Sequence, residues 1–381
     1  MIKKIFYISN LRLPSEKANS YQTIQMCNSF SKVFDKVELW TGKTRNTSEF
    51  QGINDIYKYY SVEESFLIRN FWQFDSRILG NVNEFIWANL RDFIFSINIC
   101  LRLISYRNDP KMIVYTRVWS LLYVFLIFKK IGLVNNRIYY ESHKFSKFLL
   151  NPLTKLDGVV VINNYLFNLY NKHGLKKLFV AHDGVNIDEY NKISNYQFQP
   201  KKKKFNVVYT GSLFLWKGVN TLVDALEYLP VNVKLIFIGG SAQYLANFKK
   251  YVKDSGHENR VQIVQHIPKK DLLKYIEIAD VLVLPNSAKD KMSLYTSPIK
   301  MFEYMASKRP ILASDLPSIK EVLTHKKNAI LFKSDNEKDL AKKIQSVFSM
   351  DCKNLVENAY KEANKFTWDG RARNIKEFIE Y

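Results

Sequence analysis

The stretch Tyr295–Ser318, YTSPIKMFEYMASKRPILASDLPS, combines residue types that could bind a phosphorylated ligand. It predicts a polar turn at residues 296–298, a helix over Ile299–Ser307 and a buried strand over Pro310–Ala313. The free amides and the dipole of a helix N-terminus form a site for an anion. Glu303 lies one turn further in, where a carboxylate can accept hydrogen bonds from a vicinal diol such as a ribose. Phosphate and sugar contacts in this order describe a nucleotide-binding site.

The residues of this turn support a helix that begins near Ile299. Proline pre-sets φ for a first helical position, which Pro298 would occupy. The hydroxyls of Thr296 and Ser297 could cap the free amides of the helix.

A second segment whose residues could bind a ligand is NVVYTGSLFLWKGVNTLVDAL. A predicted strand ends at Thr210, Gly211 lets the backbone turn closely, and a loop delivers Lys217 ahead of a helix that begins near Asn220. A lysine at such a position is a mobile point charge suited to a diphosphate. Taken alone, Lys217 could equally be a surface lysine in a lysine-rich chain.

Length and composition indicate a globular chain of 381 residues with two domains of ordinary size. The longest apolar run, Val118–Phe128, spans 11 residues, whereas a bilayer span needs roughly 20. The segment MIKKIFYISN is expected to form a first strand rather than a signal peptide. Cys27, Cys100 and Cys352 show neither metal spacing nor a disulfide framework, which favours a reducing cytoplasm.

The net charge of +21 is spread evenly along the chain. Residues 1–200 carry 26 Lys and Arg against 16 Asp and Glu, and residues 201–381 carry 31 against 20. Two explanations stay open: a lysine-rich composition without functional meaning, and attraction to anionic lipid headgroups and diphosphates. No finger, basic helix or RNA-binding signature accompanies the charge, so nucleic acid is not an expected partner.

Short β-branched runs alternate with helical patterns, which predicts βαβ units and parallel sheets. The polar segment 191–204 lacks periodicity and ends in four lysines, so it is predicted to link two domains. The strand candidates are Lys3–Ser9, Lys36–Thr41, Met112–Arg117, Arg137–Ser142, Val159–Asn163, Phe179–His182, Asn206–Thr210, Lys234–Ile238, Gln262–Gln265, Val281–Pro285, Ile311–Ser314 and Ala329–Phe332.

The segment Glu64–Arg107 does not follow this alternation of strands and helices, because it is rich in aromatic and aliphatic residues and has a helical pattern. It predicts helices packed on the first sheet. The alternative is a face that rests in a membrane interface, together with Trp119, Phe125 and Phe128.

The order of these features resembles the retaining glycosyltransferases of family 4, which have the GT-B fold. The resemblance implies an α/β architecture of two Rossmann-like domains facing a central cleft, with a C-terminal helix that crosses back to the first domain. The expected parts are an N-terminal domain on the acceptor side over 1–190, the linker, a nucleotide-sugar domain over 205–366 and the terminal helix over 367–381. The motifs TW and RA in the last segment belong to the resemblance.

In family 4, a lysine in the position of Lys217 contacts the donor diphosphate, and a glutamate in the position of Glu303 binds the ribose. The family usually has Gly-Arg where this chain has Gly211-Ser212, so a second cation is absent or comes from elsewhere. A second glutamate of the family falls on Tyr295, which can offer a phenol or a ring face but no carboxylate. The resemblance also places donor contacts along Thr296, Ser297, Pro298 and Ile299.

In the first domain the segment RIYYESHKF places Glu141 and His143 at a strand end. The resemblance implies that His143 contacts the donor sugar, whereas a lone histidine is more often structural. Arg117, which follows a strand in a Tyr-Thr-Arg sequence, is expected to face the cleft. The loop after the first strand is expected to overhang it, with Lys17, Asn19 and Ser20 as candidates for acceptor or phosphate contacts.

The resemblance implies transfer of a sugar from a nucleoside-diphosphate sugar to a hydroxyl group with retention of configuration. The catalytic candidates are His143, Lys217 and Glu303, and neither a metal nor a resident cofactor is expected. The expected partners are the nucleotide sugar, a glycan or polyprenyl-diphosphate-linked acceptor, and the inner face of the plasma membrane. The alternative is a non-catalytic GT-B subunit that binds a nucleotide sugar and has lost turnover through Ser212 and Tyr295.

Overall fold

The structure is a computed structural model that describes residues 2–44, 46–47, 50–73, 84–197 and 203–381. The predicted helical residues 74–83 and the linker residues 198–202 lie outside the described residues. The chain divides into two compact units: unit 1 comprises Met1–Ala181 and Trp368–Tyr381, and unit 2 comprises His182–Thr367.

Unit 1 contains a seven-stranded parallel sheet with the order β3-β2-β1-β4-β5-β6-β7. Its strands are β1 (Lys4–Ile8), β2 (Lys36–Gly42), β3 (Leu67–Phe71), β4 (Met112–Thr116), β5 (Arg137–Ser142), β6 (Gly158–Val161) and β7 (Leu178–Val180).

Unit 2 contains a six-stranded parallel sheet with the order β10-β9-β8-β11-β12-β13. Its strands are β8 (Phe205–Thr210), β9 (Val233–Ile238), β10 (Val261–Val264), β11 (Val281–Leu284), β12 (Ile311–Ser314) and β13 (Ile330–Phe332). Successive residues of β8 enter cores on opposite faces, because Val207 and Tyr209 join one hydrophobic cluster and Val208 joins the other. Burial on both faces explains the continuous apolar strands of the sequence.

The helices alternate with the strands along the chain, as the sequence predicts. They are α1 (Ala18–Phe30), α2 (Ile56–Tyr59), α3 (Glu84–Leu103), α4 (Trp119–Lys130), α5 (Leu150–Thr154), α6 (Asn164–Lys172), α7 (Val219–Asp224), α8 (Ala242–Asp254), α9 (Lys269–Glu277), α10 (Met292–Tyr295), α11 (Ile299–Ala306), α12 (Pro317–Lys320), α13 (Glu337–Val347), α14 (Lys353–Ala363) and α15 (Trp368–Glu380).

The predicted α/β fold with a returning C-terminal helix is confirmed, since α15 packs in unit 1. The hydroxyl of Ser29 donates to Asp369 at 2.7 Å, and Phe378 stacks on Phe179 with 5.2 Å between ring centroids. One element was predicted wrongly: Leu67–Phe71, inside the segment expected to be helical, forms the edge strand β3. The segment 182–190, which the sequence analysis placed in the first domain, packs in unit 2 through Val185 and Tyr190.

Both sheets reverse their strand order once, between β1 and β4 in unit 1 and between β8 and β11 in unit 2. On one side of each pair the connections between strands run in one direction along the sheet, and on the other side they run in the opposite direction. This reversal opens a crevice outside the carboxyl ends of the two strands. Ligands of open α/β sheets bind at such a point.

Candidate functional site

The loop after β8 holds Lys217 in a defined position beside the end of β11. Residues Leu215–Lys217 form a 3₁₀ turn that ends at Gly218, whose φ is 70°. A Cβ on Gly218 would lie 1.7 Å from the carbonyl oxygen of Pro285. Both the left-handed backbone and this close approach require glycine. Lys217 is therefore fixed at the switch point of the sheet.

The ammonium group of Lys217 has no carboxylate partner among the described residues. Its Nζ lies 3.7 Å from the ring centroid of Trp216, so the ammonium group makes a cation–π contact with that ring. Burial lowers the pKa of Lys217 from its ordinary value of 10.5 to about 7. An anionic ligand would favour the charged form by supplying the missing counter-charge.

The N-terminus of α11 differs from the predicted one in the position of Pro298. Pro298 is the N-cap rather than the first helical residue, and its own side chain makes no cap hydrogen bond. The hydroxyl of Ser297 accepts a hydrogen bond from the amide of Asp183 at 3.1 Å. Ser297 therefore contacts Asp183, and capping of α11 by Thr296 and Ser297 stays a prediction. The first turn of α11 keeps amides that a ligand could bind.

Glu303 lies on α11 in a charged cluster that the sequence did not reveal. Lys269, the first residue of α9, donates a hydrogen bond to its Oε1, and the same ammonium lies 3.9 Å from a carboxylate oxygen of Glu189. All three side chains are largely buried. Two carboxylates thus share one lysine, which leaves excess negative charge beside Glu303 for hydroxyl donors.

The remaining donor-side candidates also belong to unit 2. Gly211 follows β8 with a φ of 117°, and the carbonyl of Ser212 accepts a hydrogen bond from the Tyr209 hydroxyl at 2.6 Å. Tyr295 ends α10 just before the turn that leads to Ile299 and is partly buried. Gly211, Ser212 and Lys217 therefore lie on the loop after β8. The donor-side candidates from Tyr295 to Glu303 lie on α10, on α11 and on the turn between these helices.

In unit 1 a buried carboxylate connects two of the predicted residues. Glu141, at the end of β5, is fully buried and accepts hydrogen bonds from Gln22 Nε2 at 2.9 Å and from His143 Nε2 at 2.6 Å. The Tyr115 hydroxyl also donates to Glu141. Arg117 donates to the other end of the Gln22 amide. Arg117 and His143 thus belong to one network through Gln22 and Glu141.

Helix α15 supplies the cation of this network. Arg371 Nη2 lies 3.1 Å from Glu141 Oε2, and the two side chains are 2% and 0% exposed. Burial alone would raise the pKa of Glu141, but Arg371 and His143 hold that pKa well below its ordinary value. Glu141 is therefore ionised at neutral pH and can act only as an acceptor.

The ionised Glu141 fixes the tautomer of His143. Since the carboxylate can only accept, the proton of the neutral ring must lie on Nε2, which leaves Nδ1 as the acceptor. Burial and the nearby charge of Arg117 lower the pKa of His143 to about 4, although Glu141 opposes this shift. A neutral imidazole whose side chain is about a quarter exposed can accept a hydrogen bond from a sugar hydroxyl.

The predicted loop after β1 divides into exposed and structural residues. Lys17 and Asn19 are exposed at the start of α1. Ser20 is buried, and its hydroxyl donates to the carbonyl of Arg12 at 3.1 Å. Ser20 therefore closes the loop, whereas Lys17 and Asn19 stay candidates for ligand contacts.

The sequence analysis missed Gln22, Lys269 and Arg371 as members of these networks, and it also missed Lys300, whose Nζ donates to the carbonyl of Thr210. Lys300 lies inside the first stretch analysed, but a lysine in a helix normally indicates a solvated face. The other three lie on helices distant in sequence from their partners, so no local spacing signals their contacts.

Comparison with known proteins shows which proteins this chain is similar to. Residues 191–365 match the family model described as glycosyl transferases group 1. The uncharacterized glycosyltransferase MJ1178 of Methanocaldococcus jannaschii is 22% identical over 242 residues, which cover 63% of this chain and 64% of the relative. The O-antigen chain mannosyltransferase RfbU of Salmonella typhimurium is 24% identical, over 46% of this chain and 51% of the relative. The matched region spans less than two thirds of the length of these curated relatives.

Among solved structures, Anabaena Alr3699/HepE in complex with UDP and glucose superposes with a TM-score of 0.73. The sequences are 17% identical and 99% of each chain is covered, so this likeness concerns the fold alone. The two parallel sheets and the returning helix α15 agree with it. The chain therefore has the GT-B fold, and its residues 191–365 form a glycosyl transferases group 1 domain.

Proposed function

We propose that this protein is a retaining glycosyltransferase that moves a sugar from a nucleoside-diphosphate sugar to a hydroxyl group of a glycan or lipid-linked acceptor. The observation that carries the proposal is Lys217, a cation without a carboxylate partner among the described residues, at the switch point of the group 1 domain. The start of α11 belongs to the same unit and adds positive potential.

Two similar proteins support the substrate class. RfbU is named as an O-antigen chain mannosyltransferase, and Alr3699/HepE was solved with UDP and glucose. We therefore propose that this protein acts in envelope polysaccharide synthesis, in the cytoplasm or at the inner face of the plasma membrane.

The chemical task is to stabilise the negative charge that develops on the departing diphosphate. Lys217 and the amides of α11 would supply positive potential in a partly desolvated site, where it acts most strongly. Following the family 4 resemblance, the acceptor attacks the same face that the diphosphate leaves, and a leaving-group oxygen takes the acceptor proton. We propose no general base and no metal. His143 stays a predicted contact of the donor sugar.

A non-catalytic nucleotide-sugar-binding subunit is the alternative. Ser212 and Tyr295, in positions where family 4 usually has arginine and glutamate, favour it. Such a protein would bind the nucleotide without releasing it from a sugar donor.

The proposed function is tested by a panel of UDP-, GDP- and ADP-sugars. A true donor present at 100 times its Kd should stabilise the protein by about 2.7 kcal/mol, which a thermal shift detects. The best donor is then incubated with a lipid-linked glycan extract, and release of nucleoside diphosphate is followed with and without EDTA. Release in both conditions supports a metal-independent transferase, loss in EDTA that Mg²⁺ or Mn²⁺ restores contradicts metal independence, and stabilisation without release supports the binding subunit.

Glu303→Gln should weaken nucleoside diphosphate binding by about 1.5–3 kcal/mol, the usual contribution of a hydrogen bond to a charged group. The substitution keeps the shape of the side chain but removes the charge that a ribose diol would bind. Calorimetric titration with UDP and GDP measures the loss. Glu189→Gln is the matched control, since Glu189 shares Lys269 but lies off α11. Equal losses in both variants would assign the effect to the charged cluster.

An exposed apolar face on unit 1 supports association with a membrane surface. Ile86, Leu90, Ile97 and Leu101 recur at helical spacing on α3 and are 42% to 59% exposed. Exposed cations of unit 1 accompany them at Arg102, Arg107, Lys130, Lys144 and Lys147. Within the described residues, no helix is long and apolar enough to cross a bilayer. We propose that this apolar face of α3 rests on an anionic lipid surface.

One residue of the predicted membrane face was assigned wrongly. Phe125 is fully buried in the core between α4 and its neighbours, so it cannot touch lipid. Trp119 is partly buried and packs against Phe93 with 5.3 Å between ring centroids. The predicted face therefore rests on α3 rather than on the aromatic residues of α4.

Flotation with phosphatidylcholine vesicles, with and without phosphatidylglycerol, tests this surface. We expect the protein to float with the anionic vesicles, because each nearby cation contributes about 1 kcal/mol, and high salt to weaken the flotation, because that contribution is electrostatic. Replacing Ile97 and Leu101 by glutamate should abolish flotation, since each inserted side chain contributes about 1.5–3 kcal/mol. Val231→Glu, at an 84% exposed position of unit 2, is the control. Absence of flotation with either vesicle would contradict membrane docking.

A further inference from the structure

Lys300 is a buried cation in a position where helices normally carry a solvated lysine. It is the second residue of α11 and is 9% exposed. Its Nζ donates to the carbonyl of Thr210 at 3.0 Å and lies 3.6 Å from the ring centroid of Tyr209. One carbonyl and one ring do not neutralise a buried ammonium.

Lys300 and Lys217 form a pair of uncompensated charges in unit 2. No carboxylate lies within ion-pair distance of either ammonium in the part of the chain that the structure describes, and Glu303 acts on Lys300 only from a greater distance. Burial, together with the charge of Lys217, holds the pKa of Lys300 well below its ordinary value. Two like charges without a nearby counter-ion destabilise each other, and an anion that contacts both would stabilise their charged forms.

The backbone above Lys300 leaves room for such an anion. A Cβ on Gly211 would lie 3.6 Å from Lys300 Nζ, so the residue that covers the ammonium has no side chain. Gly211 is itself exposed. The next residue, Ser212, brings no charge to the loop. A ligand oxygen can therefore approach Gly211 from solvent and come close to Lys300.

We propose that Lys300 is the second cation of the diphosphate site, with Lys217 as the first. The proposal rests on the proposed function, because it takes the diphosphate of the nucleotide sugar as the ligand. Lys300, on α11, then supplies the second positive charge, which the loop after Gly211 lacks. Tyr209, Lys217 and Glu303 are the titratable groups that act on it.

Proton uptake is a consequence of this arrangement. Above pH 7 Lys217 is mainly neutral in the unliganded site, and the pKa of Lys300 is lowered in the same direction, whereas the diphosphate binds the charged forms of both lysines. Binding should therefore take up protons, and affinity should fall as the pH rises above about 7. Calorimetry at pH 8, in buffers that differ in ionisation enthalpy, measures the number of protons. We expect proton uptake in the wild type and a smaller uptake in Lys217→Ala.

Lys300 also ties α11 to the end of β8, so a purely structural role must be separated from ligand binding. Tyr304→Phe is the matched control. The Tyr304 hydroxyl accepts from the Thr210 amide at 2.8 Å, and its loss removes a second tie between the same two elements without removing charge. Lys300→Met keeps most of the apolar stem and removes the charge, and Lys300→Arg keeps the charge.

The test compares the tightest-binding nucleoside diphosphate among UDP, GDP and ADP with its own nucleoside, which has no phosphate. We expect Lys300→Met to weaken diphosphate binding about 10- to 100-fold and to leave nucleoside binding unchanged. Lys300→Arg should restore part of the lost affinity. Tyr304→Phe should leave the diphosphate affinity intact. Equal diphosphate affinity in wild type and Lys300→Met would overturn the assignment of Lys300 alone. If Lys300→Met does not fold, Lys300→Gln, whose amide can still donate to the carbonyl of Thr210, takes its place, and an unchanged diphosphate affinity in that variant overturns the assignment. A wild type that binds none of the three nucleotides would overturn the proposed function itself.

Discussion

Lys217→Ala should lower the rate of sugar transfer by about 10²–10³-fold while the protein stays folded. Loss of one preformed electrostatic group at a developing charge typically has this effect. Lys217 forms no ion pair with the described residues, so its removal breaks no fold-stabilising pair. Single-turnover measurement of nucleoside diphosphate release, with circular dichroism to verify the fold, gives the result.

The control for this experiment is Lys342→Ala, at an exposed position on α13 of the same unit. It changes the net charge by the same amount and should leave the rate within twofold, because surface charges contribute little at a distance through salt solution. Lys217→Arg should recover part of the activity. A folded Lys217→Ala protein with a near-normal kcat would remove Lys217 from the mechanism.

Arg371→Met should lower the free energy of unfolding by about 3–5 kcal/mol, the usual cost of leaving one partner of a buried ion pair alone. Glu141 would lose the cation that lies 3.1 Å away, and its side chain is fully buried. Urea denaturation, monitored by the fluorescence of unit 1 tryptophans, measures the change. Arg373→Met is the control, because Arg373 is exposed on the same helix and should change the stability by less than about 0.5 kcal/mol.

The pH dependence gives this prediction its sign. In the wild type the folded-state pKa of Glu141 lies well below the ordinary 4.5, so its stabilising contribution is complete above pH 4.5 and is lost as the pH falls towards the folded value. In Arg371→Met the uncompensated carboxylate should titrate at a higher pH, and protonation relieves the penalty. The stability difference between the two proteins should therefore shrink on acidification. A difference that stays constant from pH 7 to 4 would contradict the role of the ion pair.

Local signals in the sequence were sufficient for the elements that carry the candidate site. The apolar run before Gly211 predicted β8, and the sequence from Tyr295 to Ser318 predicted α11 and β12 in the right order. His143 follows β5 as expected. These features depend on neighbouring residues, which is why their positions could be predicted before their partners were known.

Contacts between distant segments could not be predicted in this way. The edge strand β3 has three exposed residues of five, so it lacks the apolar alternation that marks a strand. Lys269 and Arg371 lie on polar helices whose charges are typical of solvated surfaces, and only the fold brings them to Glu303 and Glu141. Lys300 is similar, because its burial depends on how α11 packs against β8.

The packing of α15 in unit 1 has a consequence for biosynthesis. Residues 182–367 form a continuous segment, whereas unit 1 combines residues up to 181 with residues 368–381. During translation the whole of unit 2 leaves the ribosome before Arg371 does. Glu141 therefore lacks its ion-pair partner at a time when unit 2 is already able to fold. Domains usually fold in the order of their synthesis. Here we expect the nascent chain to complete unit 2 first, and unit 1 only after α15 has been synthesised.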